Sequence, residues 1–207
     1  MNNSEKIINI EPKIRSKGFK SENFYSNIDK NDTIKELYIR INNTIDKIES
    51  FNLSTKNKEI LFKIQKSYLK FFNEAPLLDD DFLLSKHEID EIYRLQEKFY
   101  ARYLIYRYKF NIFPKLRIVE DYPPCVQIEP TSICNYRCVM CYQADRTFSS
   151  KSNGYMGHMN LDFFKKTIDE LEGNIEAVTF ASRGEPTLNK DFKQMLKYSE
   201  GKFIGLK

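Results

Sequence analysis

Apolar residues in the first half of the chain recur at three- and four-residue steps. Ile34, Leu37, Ile41, Ile45 and Ile48 form one stripe, which predicts an amphipathic helix. Thr33-Ile-Lys-Glu36 stands ahead of it in the S/T-x-x-E order of a capping box. After a break at Ser54-Thr55, Leu61, Ile64, Tyr68 and Phe72 line a second helix that stops before Pro76. Ser85-Lys-His-Glu88 is a further capping box, and the pattern behind it predicts one long helix with Ile89, Ile92, Phe99, Tyr103 and Phe110 inward. Three such helices with short connections read as a helical module over residues 33–110. Residues 1–32 are rich in Asn, Ser, Lys and Glu without a sustained period, the pattern of a flexible arm. Residues 111–124, with Phe113-Pro114 and Tyr122-Pro123-Pro124, read as an extended linker.

Beyond the prolines the period changes. Cys125-Val-Gln-Ile-Glu129, Ala177-Val-Thr-Phe180 and Phe203-Ile-Gly-Leu206 read as strands. Between them, Asn160 is a suitable N-cap for a helix bearing Leu161, Phe164, Ile168 and Leu171, ended by Gly173. Residues 189–199 predict another helix, with Phe192, Met195 and Leu196 apolar. Residues 142–159, polar and carrying Gly154 and Gly157, read as a long loop. Strand alternating with helix is the signature of an α/β parallel sheet or barrel. In such folds the functional loops leave the carboxyl ends of the strands, and sequential strands lie side by side. Two loops should therefore share one rim: the segment after Glu129, and Ser182-Arg-Gly184-Glu185-Pro186.

The first of these loops carries Cys134, Cys138 and Cys141, spaced C-x3-C-x2-C. The whole chain of 207 residues has only four cysteines, so this is no disulfide framework. Clustered thiolates are soft ligands for zinc or iron–sulfur centres in a reducing compartment. A structural zinc site closes with four ligands, whereas three on one loop leave a position open. Cys125 or His158 could complete a zinc set, although a strand position favours a buried, inert thiol for Cys125.

The cysteine loop, with its lead-in Val126-Gln-Ile128-Glu-Pro-Thr131-Ser-Ile-Cys134-Asn135, resembles the cluster-binding motif of radical S-adenosylmethionine (SAM) enzymes. Gly184-Glu185-Pro186 resembles the family's Gly-Gly-Glu-Pro segment, with Arg183 in place of the first glycine. Met140 stands where members usually have an aromatic. The resemblance implies that Cys134, Cys138 and Cys141 hold a 4Fe–4S cluster, with SAM on its open iron. Gly184, Glu185, Pro186 and Met140 would contact that SAM. One electron, from a reducing donor, would then cleave SAM to methionine and a 5′-deoxyadenosyl radical that takes hydrogen from a small-molecule, peptide or protein substrate. The family's barrel usually has more βα units than the two and a strand read here, so residues 125–207 are expected to be an incomplete radical SAM barrel of a longer enzyme. The lead-in and the Gly-Glu-Pro loop look most like the branch that often carries an auxiliary-cluster domain.

Other readings compete with this one. A zinc-stabilised binding module is one, and a catalytically inactive scaffold is another. Arg94, Lys98 and Arg102, with Tyr100, Tyr106 and Tyr108 nearby, could bind RNA or an acidic peptide. Asp90 is placed to pair with Arg94, so a solvated helix face is favoured, and the net charge of +4 adds no case for nucleic acid. In the long loop, Arg146, Lys151 and His158 could face a substrate, but solvated side chains are the favoured reading there, as for His87. No apolar stretch reaches membrane-spanning length, and the N-terminus has no apolar signal region, so a cytoplasmic protein is expected.

Overall fold

The computed structural model describes residues 32–180 and 183–206. The expected arm lies outside these residues except for Asp32, and so does Ser182 of the second loop. Helices α1 (Asp32–Asp46), α2 (Thr55–Phe72), α3 (Lys86–Ile92) and α4 (Tyr100–Leu116) make up the first half. Ile34, Leu37 and Ile41 of α1 meet Leu61, Ile64 and Tyr68 of α2 and Leu104, Tyr108 and Ile112 of α4 in one buried cluster.

Of the two capping boxes expected in this half one forms, and a cap that was not expected appears at the Ser54 break. Ser54 Oγ accepts from the Asn57 amide, and Ser85 with Glu88 forms the full reciprocal box. Thr33 is not a cap, because α1 already includes Asp32. Glu88 has a second use: its buried carboxylate also accepts from Arg107 and from Asn111 Nδ2, which ties the start of α3 to α4.

The single long helix expected after Ser85 is two helices, broken at Gln96, whose backbone is extended. Helical phase explains the break. A straight helix holding Ile89 and Ile92 inward would bring Gln96 inward as well and turn Leu104, Tyr108 and Ile112 outward. The break rotates those three into the core. Phe110 is left exposed and Phe99 half-buried, contrary to expectation. At its far end α4 passes through Pro114 to Leu116, with Arg117 closing it in the left-handed region (φ 54°). Buried Ile112 and Phe113 keep the stripe going past Asn111, where extended chain is expected. Tertiary burial here outweighs one missing donor in the last turn.

Phe82, Leu83 and Leu84 are buried without belonging to a helix. Their amides are satisfied by side chains of α2: Ser67 Oγ accepts from Phe82 and Tyr68 Oη from Leu84. Asp81 anchors this segment. Burial acts to raise its carboxyl pKa, but hydrogen bonds from the Leu78 amide, Lys70 and Ser67 outweigh it and hold the group below its usual range. A depressed carboxyl pKa contributes stability above its unfolded value and loses it as pH falls through the folded one. Asp81→Asn should therefore cost about 2 kcal/mol at neutral pH. In urea unfolding, its deficit against the wild type should shrink as the pH drops below the ordinary carboxylate range.

The second half is a three-stranded parallel sheet in the order β1 (Cys125–Gln127), β2 (Ala177–Thr179), β3 (Gly205–Leu206). Helices α5 (Leu161–Leu171) and α6 (Phe192–Ser199) cover one face. Val126, Val178 and Leu206, level in the register, turn toward these helices and pack with Phe164, Ile168, Phe180 and Met195. Asn160 caps α5 through the Asp162 and Phe163 amides, and Gly173 takes a positive φ (79°) just beyond it. The strands are shorter than their sequence patterns, and α6 starts only at Phe192, after a 3-10 turn at Pro186–Leu188. The stretch expected as a long loop holds short helical turns at Tyr142–Ala144, Arg146–Ser149 and Lys151–Asn153.

On the opposite sheet face, Cys125, Ala177 and Gly205 look toward α4 across a cleft of about 600 Å³ also lined by Tyr103, Tyr106 and Arg94. Arg102 of α4 grips Glu176, just before β2, through two nitrogens at 3.0 and 2.7 Å. The Glu176 carbonyl in turn accepts from the Ile204 and Gly205 amides. Tyr100 and Tyr108 are buried in the helical core. The basic, aromatic stripe is therefore not a continuous binding face. Among the described residues, no helix is long and apolar enough to cross a membrane.

Candidate functional site

The chain leaves the carboxyl end of β1 at Ile128, whose amide still donates to Thr179 of β2 (2.9 Å). The next five residues are held mostly through their backbone. The Pro130 carbonyl accepts from the Met159 amide at 2.8 Å and from Asn189 Nδ2 at 2.7 Å. Thr131 and Ser132 are buried. Their hydroxyls bind the Gly157 backbone: Thr131 Oγ1 donates to its carbonyl (2.9 Å), and Ser132 Oγ accepts from its amide (2.8 Å). Gln143, also buried, donates Nε2 to the Ser132 carbonyl at 2.8 Å. These bonds draw the 142–159 segment back over the start of the cysteine loop.

The second rim loop seats on the same stretch. The Glu185 amide donates to the Ile133 carbonyl at 2.9 Å. At Gly184 the backbones approach so closely that a Cβ would lie 1.8 Å from the Thr131 carbonyl oxygen. Only glycine fits such a contact. Sequence reasoning expected the two loops to meet on one rim, and the geometry puts them in backbone contact. Glu185 caps the turn at Pro186–Leu188, its Oε1 accepting from the Thr187 amide (3.2 Å) and hydroxyl (2.7 Å). Arg183 donates Nη2 to Glu129 Oε1 (3.2 Å) and to the Tyr155 carbonyl (2.6 Å).

The cysteine loop itself projects outward. Cys134 and Cys141 are half-buried and Cys138 is exposed. The Cys141 amide donates to the Cys138 carbonyl at 2.9 Å, and the Tyr136 amide points at Cys134 Sγ at 3.4 Å. Arg137 braces the turn by donating to the carbonyls of Cys134 and Tyr136. Val139 and Met140 at the tip are 93% and 84% exposed, and Tyr136 and Tyr142 are exposed beside them. Four large side chains, two of them tyrosines, are thus open to solvent on the loop that bears the three thiols.

Among the described residues, no three Cys, His, Asp or Glu side chains are gathered as ligands of one ion. The donor chemistry still suits an iron–sulfur cluster. Three thiols share one short loop, and a backbone amide is already directed at one sulfur. Cys125 does not belong to this set. It starts β1 at the amino end, whereas Cys134 follows the carboxyl end, and burial pushes its thiol pKa up, with Arg107 only partly opposing. Arg146, Lys151 and His158 are exposed, and His158 joins the site only through a backbone bridge to Thr131. His87 is exposed and sits 3.2 Å from Glu91.

Three contributors to the rim were not singled out by sequence reasoning: Asn189, Gln143 and the Glu129–Arg183 pair. The signal for the pair lay in view. Arg183 replaces a family glycine, and Glu129 ends the neighbouring strand segment. Asn189 and Gln143 reach main-chain carbonyls distant in sequence, which no local pattern marks.

Residues 128–203 match the family model described as Radical SAM superfamily. Curated relatives match over somewhat less than half of the chain. The mycofactocin maturase MftC of Mycobacterium tuberculosis is 32% identical over 100 residues, 45% of this chain and 24% of that protein. The MftC of Mycolicibacterium smegmatis is 30% identical over 103 residues, 47% of this chain and 25% of the relative. The Fe-coproporphyrin III synthase of Methanosarcina barkeri is 30% identical over 87 residues, 42% of this chain and 21% of the synthase. The chain thus spans about a quarter of the length of these relatives. No solved structure gives a significant match. The match to the radical SAM superfamily thus covers residues 128–203, the segment that carries the cysteine loop and Gly184-Glu185-Pro186.

Proposed function

We propose that this chain carries the cluster-binding and first SAM-binding elements of a radical SAM enzyme, with the helical module of residues 33–110 packed against the opening βα units of a barrel. The observation that carries this reading is the seam between Gly184-Glu185 and Thr131–Ile133, which seats the Gly-Glu-Pro loop against the start of the cysteine loop. Cys134, Cys138 and Cys141 are the residues to hold a 4Fe–4S cluster. Gly184, Glu185 and Pro186 would offer backbone groups and a carboxylate to the amino group of SAM, and Met140 would pack against it. A cluster held there would supply one-electron reducing chemistry for cleaving SAM, to generate a radical able to take hydrogen from a substrate. The protein's share is to orient, to keep water out and to admit an electron donor. The substrate is a small molecule, peptide or protein. A thiol-held cluster calls for a reducing, cytoplasmic setting.

Anaerobic reconstitution with iron and sulfide tests the proposal. The purified chain should take up both and develop the broad visible absorption of a cysteine-ligated iron–sulfur cluster. Binding of zinc alone under the same conditions would overturn it in favour of a zinc-stabilised module.

A further inference from the structure

Asn189 is 3% exposed, and all of its amide group is committed to backbone. Its Nδ2 donates to the Pro130 carbonyl at 2.7 Å and to the Met159 carbonyl at 3.1 Å. Its Oδ1 accepts from the Asp191 amide at 2.9 Å. One side chain thereby joins three segments. They are the lead-in to the cysteines, the end of the 142–159 stretch that folds back over it, and the loop that carries Gly184-Glu185-Pro186. Two main-chain carbonyls that face one point need a donor between them, and a carboxamide is the smallest neutral side chain with two N–H groups on one nitrogen. Without Asn189 the Pro130 carbonyl would keep the Met159 amide but the Met159 carbonyl would lose the Nδ2 donor, at a cost on the order of 1–3 kcal/mol, so Asn189 helps to hold the three segments at one spacing.

We infer that Asn189 is a positioning residue for the cofactor site. It sets the distance between the cysteine loop and the Gly-Glu-Pro loop, and through that distance the grip on the cluster and the orientation of SAM beside it. The inference rests on the function proposed above. Asn189 touches neither cofactor; it acts through the carbonyls of Pro130 and Met159, as groups behind a metal site act through its ligands.

The test compares wild type, Asn189→Asp and Asn189→Ser after anaerobic reconstitution, with Tyr198→Phe as control. Asp keeps the size and the acceptor toward Asp191 but turns an oxygen on the two carbonyls. Ser restores one donor. Tyr198 bonds Asp169 on the outer surface, away from the rim. Three quantities are read: bound iron, the change in the reduced cluster's electron paramagnetic resonance spectrum on adding SAM, and the thermal midpoint of the cluster-free protein. Failure of the wild type to load iron and sulfide sinks the proposed function itself, and the inference with it. If the wild type loads, N189D should hold the cluster roughly 10–100-fold less tightly. Its SAM-induced spectral change should be lost or altered, N189S should lie between, and Y198F should match the wild type. Iron affinity and a SAM-induced spectrum equal to wild type in N189D would overturn the inference. So would losses in N189D and N189S that merely follow a lowered thermal midpoint. Should N189D fail to fold, the same outcomes are read from N189S.

Discussion

Gly184→Ala should dismantle the rim more thoroughly than any other single methyl group added to this chain. The new Cβ would fall 1.8 Å from the Thr131 carbonyl oxygen and 2.6 Å from its carbon, both main-chain atoms. No rotamer relieves a clash of backbone with Cβ, so one loop has to move. Moving it breaks the Glu185 amide bond to Ile133 and takes Glu185 and Pro186 with it. Overpacking of this kind costs about 3 kcal/mol or more. The reconstituted variant should retain iron poorly and lose its spectral response to SAM. Gly157→Ala is the matched control, because a Cβ there meets nothing within 4 Å. Equal iron content and equal SAM response in G184A and G157A would show that the two loops do not depend on their contact.

The cysteines should divide sharply. Cys134→Ala, Cys138→Ala and Cys141→Ala should each abolish cluster loading, since every one removes a proposed ligand from a set that has no spare on its loop. Cys125→Ala should load as the wild type does. Cys125 lies at the other end of β1, on the face turned to α4, with a thiol whose pKa burial raises. Iron content and the visible spectrum after reconstitution check all four. Loading by any of the three loop variants, or its loss in C125A, would mean that the ligand set is drawn differently.

How much of this was legible beforehand depends on the range of the interaction. Features that span a few residues read directly: the Ser85–Glu88 box, the Asn160 cap, the stripe of Ile34, Leu37 and Ile41, and the parallel order of the strands. The break at Gln96 was not legible, because Ile89-Ile92 and Phe99-Tyr103 keep helical spacing between them. Only the competing claim of Leu104, Tyr108 and Ile112 on the core decides against it. The same holds at Pro114, where burial of Ile112 and Phe113 carries the helix past a residue that locally argues for its end. At the site, the cysteine spacing and the Gly-Glu-Pro tripeptide were plain, and so was their common rim. The bonds that fasten them were hidden, since Asn189, Gln143 and Ser132 act on carbonyls or amides that every residue possesses.

That last property carries a consequence for variation. The seam at Gly184 and Glu185 is main chain against main chain: an absent side chain on one strand of contact, peptide oxygens on the other. Ile133 contributes its carbonyl to Glu185, a group any amino acid would offer. Tolerance across the seam is therefore lopsided. A saturation scan should find position 184 nearly closed to exchange and position 133 open to residues of many shapes, although the two positions belong to the same junction.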